Sequence, residues 1–183
     1  MSETPDLGAM CASWWAELTN KDIGRSRAEW AQLRRAATPM EALLIPATHR
    51  LNKKLADAGH DLQKRPDRLA LVAMSLAQVK TSGSRKAAQA MGRGEPPVLS
   101  ALRFDKLITC GDLSQEDNVH ELIRQLRRAL AQINHQAHVA ALARDLLWWD
   151  DTTRSRWCFE YYGAADAAPA QELDEKTIEE TSA

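Results

Sequence analysis

Large apolar side chains recur every three or four positions along most of the chain, the period that lines one face of an α-helix. Met10, Cys11, Trp14, Trp15 and Leu18 carry this spacing over residues 7–18, and Asn20-Lys21-Asp22-Ile23-Gly24 breaks it. A second helix is expected from about Ser26, as its N-cap, through Trp30, Leu33 and Ala37. Thr38-Pro39-Met40-Glu41 has the form of a capping box, with a hydroxyl at the cap, proline at the first helical position and a carboxylate at the third. Pro46 is expected to break or kink the chain. A helix then continues over about 47–58 and stops at Gly59, which can take the left-handed conformation that side chains resist. Pro66 opens the next helix, striped with Leu69, Val72, Ala73, Leu76 and Val79.

Thr81-Ser82-Gly83-Ser84-Arg85-Lys86 is polar and basic, and is expected to be a flexible hinge. After it come a short helix over 87–91, a Gly/Pro break over 92–97 and a helix over 97–110, closed by Gly111. Ser114 is expected to cap a long helix reaching about Ile133, with Val119, Leu122, Ile123, Leu126, Leu130 and Ile133 inward. The next helix ends in Leu146-Leu147-Trp148-Trp149. Asp150 or Asp151 caps the last, which runs through Trp157, Phe159, Tyr161 and Tyr162 to Gly163. Residues 164–183 are rich in Ala and Glu with almost no large apolar group, so a disordered acidic tail is expected. No internal repeat and no long heptad run is present.

The fold class implied by this pattern is all-α. Two small helical bundles, 1–82 and 83–163, are joined by the basic flexible loop and followed by the acidic tail, 164–183. Composition agrees: 30 Ala and 22 Leu against 5 Val and 6 Ile favour helices over strands. The tryptophans fall into two groups, Trp14, Trp15 and Trp30, then Trp148, Trp149 and Trp157. Helical spacing and apolar neighbours make each group a core anchor for one bundle rather than a stacking platform for bases.

Chemistry is scarce. The chain has no Walker loop, no Gly-x-Gly-x-x-Gly, no Cys-x-x-Cys and no His-Glu-x-x-His. His135-x-x-His138 could set two imidazoles on one helix face, but His49, His60 and His120 show no spacing that completes a zinc site. Asp150-Asp151 reads as a helix cap. No catalytic residue, metal or cofactor is therefore expected, and the chain is not expected to be an enzyme. Cys11, Cys110 and Cys158, odd in number and far apart in apolar surroundings, read as reduced core residues. With no run of about 18 apolar residues and no signal-peptide pattern at Met1–Asp6, a cytoplasmic protein without membrane contact is expected.

The net charge of −1 conceals segregation. Residues 1–20 carry −3, residues 21–128 carry +8, residues 129–144 carry +1 and residues 145–183 carry −7. Arg outnumbers Lys 16 to 8, which suits planar, multidentate phosphate recognition. Arg124, Arg127 and Arg128 share a helix face at i, i+3 and i+4, with Glu121 their only near acidic partner. Arg103 and Lys106 form a second pair, Arg27, Arg34 and Arg35 a third group, and Lys80, Arg85 and Lys86 flank the loop. Cations stacked this way repel unless an anion compensates them. With no base-reading motif nearby, the expected ligand is a nucleic-acid backbone, contacted without sequence preference.

Trp14-Trp15-x-x-Leu18, Arg27-Ala28-Glu29 and Leu33-Arg34-Arg35 occur in order with three later pieces. These are Arg103-Phe104-x-x-Leu107-Ile108, Leu126-Arg127-Arg128-Ala129-Leu130 and Leu142-Ala143-x-Asp145-Leu146-x-x-Trp149. In this order and spacing, over about 10–162, the chain resembles the CasB family, the small subunit of the type I-E CRISPR complex Cascade. The resemblance implies a non-catalytic two-domain helical protein, partnered by other Cascade subunits and by a second copy of itself head to tail. It implies that the subunit steadies the guide RNA–target DNA hybrid and holds the displaced single-stranded DNA. Arg34, Arg35, Arg103, Arg127 and Arg128 match the family's basic positions. Arg124, Lys106, Lys80, Arg85 and Lys86 are added on face and charge alone. The chain departs from shorter members over 57–68 and in the tail. The competing readings are a protein-binding helical adaptor, then a helix-turn-helix repressor, then a metallohydrolase.

Overall fold

Caps and prolines set most of the helix starts. The computed structural model describes residues 6–164 apart from Asp112. Asp6 accepts from the backbone N–H groups of Gly8 (3.0 Å) and Ala9 (3.2 Å) and opens α1, Leu7–Thr19. After α2, Gly24–Arg35, Thr38 Oγ1 accepts from Glu41 N and Pro39 takes the first position of α3, Pro39–Leu43. Pro46 and Pro66 do the same for α4, Pro46–Asp57, and α5, Pro66–Gln78. In that position the missing N–H costs nothing and the fixed φ is already helical. Gly59 follows α4 at φ 82°, as a left-handed stop requires. The second half holds α6, Ala87–Gly92, α7, Ala101–Ile108, and α8, Glu116–Gln132. It closes with α9, Val139–Leu147, and α10, Asp151–Gly163, where Asp150 accepts from Thr153 N at 2.8 Å.

The all-α class holds: among the described residues there are ten helices and two strands of two residues each. Three starts differ from expectation. Ser26 is buried inside α2 with Ile23 at its cap, α7 begins at Ala101 rather than Pro97, and Gln115 rather than Ser114 holds the cap position of α8. The strands are β1, Thr81–Ser82, and β2, Gln136–Ala137, paired in parallel. They lie where a flexible hinge was expected. Lys80 N donates to His135 O (2.9 Å), Gly83 N to Ala137 O (3.1 Å) and His138 N to Arg85 O (2.9 Å), so this stretch is tied along its length.

The core is centred on α5, in which every residue from Arg68 to Gln78 is buried. Helices α2, α3, α4, α8 and α9 surround it, which is why its sequence is apolar on all sides. Across the expected boundary at 82/83, α1 packs most extensively on α9 and α5 packs on both α8 and α9. Gly8 allows the first contact, since a Cβ there would lie 2.4 Å from Ala140 O. Gly92 likewise lets α6 approach α10, with Tyr161 O at 2.0 Å from the position of a Cβ. The buried apolar residues form one cluster from Cys11 to Tyr161.

Five of the tryptophans are buried or half-buried anchors, as expected of core residues, whereas Trp148 is 48% exposed at the end of α9 and packs edge-on against His60, which corrects the expectation for that residue. Trp14, Trp15 and Trp30 donate their ring N–H to the carbonyls of Ala47 (2.8 Å), Val79 (3.0 Å) and Ala77 (2.8 Å). Trp157 donates to the buried Asp145 carboxylate at 2.7 Å. All three cysteines are free thiols, and burial pushes Cys11 up to about 12 and Cys110 up to about 11. No described helix is long and apolar enough to cross a membrane. The expected acidic tail, from 165 onward, lies outside the described residues.

Candidate nucleic-acid interface

On α8 the three arginines of one expected face meet three different fates. Arg127 borders the buried stripe of Ile123, Leu126 and Leu130, and its side chain reaches across to α2. Its guanidinium donates to the carbonyls of Ala36 (2.5 Å) and Leu33 (3.4 Å), closing the C-terminal turn of α2. Burial pushes its pKa down while the charge of Glu41 opposes the shift. Arg127 is therefore not a side chain whose loss leaves packing untouched, as a polar-face position would be. Arg124 remains exposed but pairs with Glu121 one turn earlier. Glu121 also accepts from Gln125 (2.5 Å), and that bond, aided by Arg124 and Arg128, holds its carboxyl below the usual range. Arg128 is exposed, and among the described residues its side chain has no hydrogen-bond or ion-pair partner.

The remaining expected positions divide similarly. Lys86 pairs with Glu160 of α10 at 2.6 Å and sits at the start of α6. Lys80 and Arg85 are exposed at either end of the β1 segment, and Arg103 and Lys106 are exposed on α7. Arg35 is exposed beside a shallow depression lined by Gln32, Ala36, Glu41, Leu44 and Ile45. Arg34 is half-buried, with its guanidinium carbon 5.5 Å from the Trp30 ring centre in a cation–π arrangement. Its Nε is buried and has no hydrogen-bond partner.

Gln78 brings part of this set together. Its side-chain amide donates to the carbonyl of Arg34 (3.3 Å), and its own carbonyl accepts from His135 Nδ1 (2.8 Å). The end of α2, the end of α5 and the turn after α8 therefore meet at one corner, which carries Arg34, Lys80 and His135. His135 is the residue that sequence reasoning missed in this role. It sits with Asn134 in a left-handed turn, φ 58° and 55°, which no motif announced. The expected chance of two imidazoles on one helix face is corrected by the same turn. His138 lies outside it as the cap of α9, accepting from Ala141 N at 3.1 Å.

Two further arginines cap helices from a distance. Arg68 donates to the carbonyls of Leu146 (3.0 Å) and Leu147 (3.4 Å) at the end of α9, and Arg154 donates to Ile108 (3.2 Å) at the end of α7. Arg156 joins Trp157 on Asp145, at 2.5 Å. Among the described residues no group of three His, Cys, Asp or Glu side chains could hold a metal ion.

Neither the curated proteins nor the solved structures contain a significant match to this chain. A family model does match, that of CRISPR-associated protein Cse2, over residues 29–162. That span is well over half the chain and contains all ten of the expected cationic positions. The chain belongs to the Cse2 family, the CasB small subunits of the type I-E CRISPR Cascade complex.

Proposed function

We propose that this Cascade subunit works without catalysis, holding the guide RNA–target DNA hybrid and the displaced DNA strand by sequence-independent backbone contacts. One observation carries the reading. Arg34, Arg35, Lys80, Arg85, Arg103, Lys106 and Arg128 make no side-chain hydrogen bond or ion pair among the described residues. Folding thus leaves a set of cations uncompensated, and a polyanion is the ligand that compensates many at once. Arg124, Lys86 and Arg127 are weaker members of the contact set, because each already has a protein partner. The partners in this reading are other Cascade subunits and a second copy arranged head to tail, in the cytoplasm. Met40 on α3 and Leu44 at its C-terminal cap, 66% and 76% exposed, favour such protein contacts over a purely nucleic-acid role.

The test is target-DNA affinity of reconstituted Cascade carrying Arg103→Glu with Lys106→Glu, over a range of salt. Each lost single-strand phosphate contact flattens log K against log salt by about 0.7, so two lost contacts flatten it by about 1.4. Unchanged affinity and slope, with the variant still incorporated, would remove these residues from phosphate contact and favour the adaptor.

A further inference from the structure

We propose that Arg34, Lys80 and His135 form one phosphate subsite, in which His135 takes up a proton when a phosphodiester binds. The inference rests on the nucleic-acid reading above and adds to it a ligand that is not formally charged at neutral pH. Three segments supply the site: α2, the residue pair after α5 and the turn after α8. Gln78 fixes their relation by bonding the backbone of Arg34 with its side chain and the ring of His135 with its carbonyl.

The tautomer is set by that second bond. A carbonyl oxygen can only accept, so Nδ1 of His135 carries a hydrogen in both protonation states, and Nε2 is the atom that titrates. Neutral Nε2 presents a lone pair, which repels a phosphate oxygen. Protonated Nε2 donates to one. A phosphate in this corner therefore selects the imidazolium.

In the free protein the corner opposes that state. Burial holds the His135 pKa below its ordinary value, and the charges of Lys80 and Arg34 push the same way against the Gln78 bond. Those two cations and the Gln78 carbonyl are the groups that act on the ring. No described carboxylate is among them. Arg34 adds a second sign of an unmet ligand, since its Nε is buried without a partner while its guanidinium rests over Trp30. A phosphodiester would offset both positive charges, accept from Arg34 and Lys80, and reverse the electrostatic penalty on His135.

Linkage fixes the readout. Complex formation raises the His135 pKa, so affinity rises as pH falls between the bound and free values, by up to about tenfold per pH unit. The experiment measures target-duplex affinity of reconstituted Cascade from about pH 5 to pH 8 with wild-type subunit and with His135→Asn. Asparagine accepts the left-handed backbone and cannot titrate in this range. The wild type should gain affinity toward acid, and the variant should lose most of that gain. Superimposable profiles would overturn the subsite. Should the variant fail to incorporate, proton NMR of the full wild-type chain decides. The His135 ring should titrate at higher pH in inorganic phosphate than in chloride of equal ionic strength, and equal midpoints would overturn the proposal. Flat pH profiles alongside a weakened Arg103→Glu, Lys106→Glu complex would remove this subsite alone, whereas loss of both effects would remove the nucleic-acid reading too.

Discussion

Two regions of this protein are equally rich in arginine and lysine, and they use them in opposite ways. Around α10, cations are taken up by the fold: Lys86 by Glu160, Arg154 by Asp151 and the Ile108 carbonyl, and Arg156 by Asp145. At the corner where α2, α5 and α8 end, Arg34, Arg35 and Lys80 have no carboxylate partner among the described residues. Glu41, the nearby acid, accepts from Ala37 N and acts electrostatically on Arg127. The two regions differ in where the acids fall, not in how many bases they hold. A cation committed to folding is one that buried carbonyls or carboxylates require, and a cation left for a ligand is one the fold can do without.

That comparison is broken most severely at its paired end. Asp145 is buried and accepts from both Trp157 Nε1 and Arg156, so Asp145→Ala strands a ring N–H in the core together with a half-exposed guanidinium. The expected loss is about 3 kcal/mol of unfolding free energy, measurable by urea denaturation. Residues 127 and 128 sharpen the contrast within one helical turn. Arg127→Ala should cost about 2 kcal/mol, because two carbonyls at the end of α2 lose a charged donor. Arg128→Ala should change stability by less than about 0.5 kcal/mol while weakening target-DNA binding by the assembled complex. Equal stability losses at the two positions would erase the distinction between folding and ligand cations.

How far this was legible in the sequence depends on the range of the interaction. Helices α3, α4, α5 and α10 announced themselves because their signals are local: Thr38 with Glu41, Pro46, Pro66 and Asp150 each act within one turn. The β1–β2 ladder was not legible, since two residues carry no strand pattern and their partners lie more than fifty positions away. The candidate site shows the same division. That Arg103 and Arg128 face outward could be read from helical period. That Arg127 turns inward to Ala36, ninety-one residues earlier, and that Lys86 finds Glu160 could not. The placement of His135 beside Arg34 was not legible for a related reason, because it depends on a left-handed turn and on Gln78, neither of which spacing encodes.

The smallest expected effect concerns pH and separates the two regions once more. The ordinary His135 value is 6.5 and burial beside Lys80 and Arg34 lowers it in the folded protein. His60 is lowered too, by burial and by Arg65. Below pH 6.5 the unfolded chain therefore binds more protons than the folded one, and stability falls with pH until these histidines titrate in the folded state. Two carboxylates, Glu121 on α8 and Asp150 at the cap of α10, act later. Glu121 and Asp150 are held below their ordinary values of 4.5 and 3.8, Glu121 chiefly by Gln125 and Asp150 by the Thr153 N–H. Their contribution is complete above pH 4.5 and is lost only as pH falls through the folded values. Thermal melts across this range should show a shallow first decline starting below pH 6.5 and a second below 4.5. His135→Asn with His60→Gln should abolish the first and leave the second. A first decline that survives both substitutions would place the acid-sensitive groups elsewhere, and with them the electrostatic strain assigned to the corner of α2, α5 and α8.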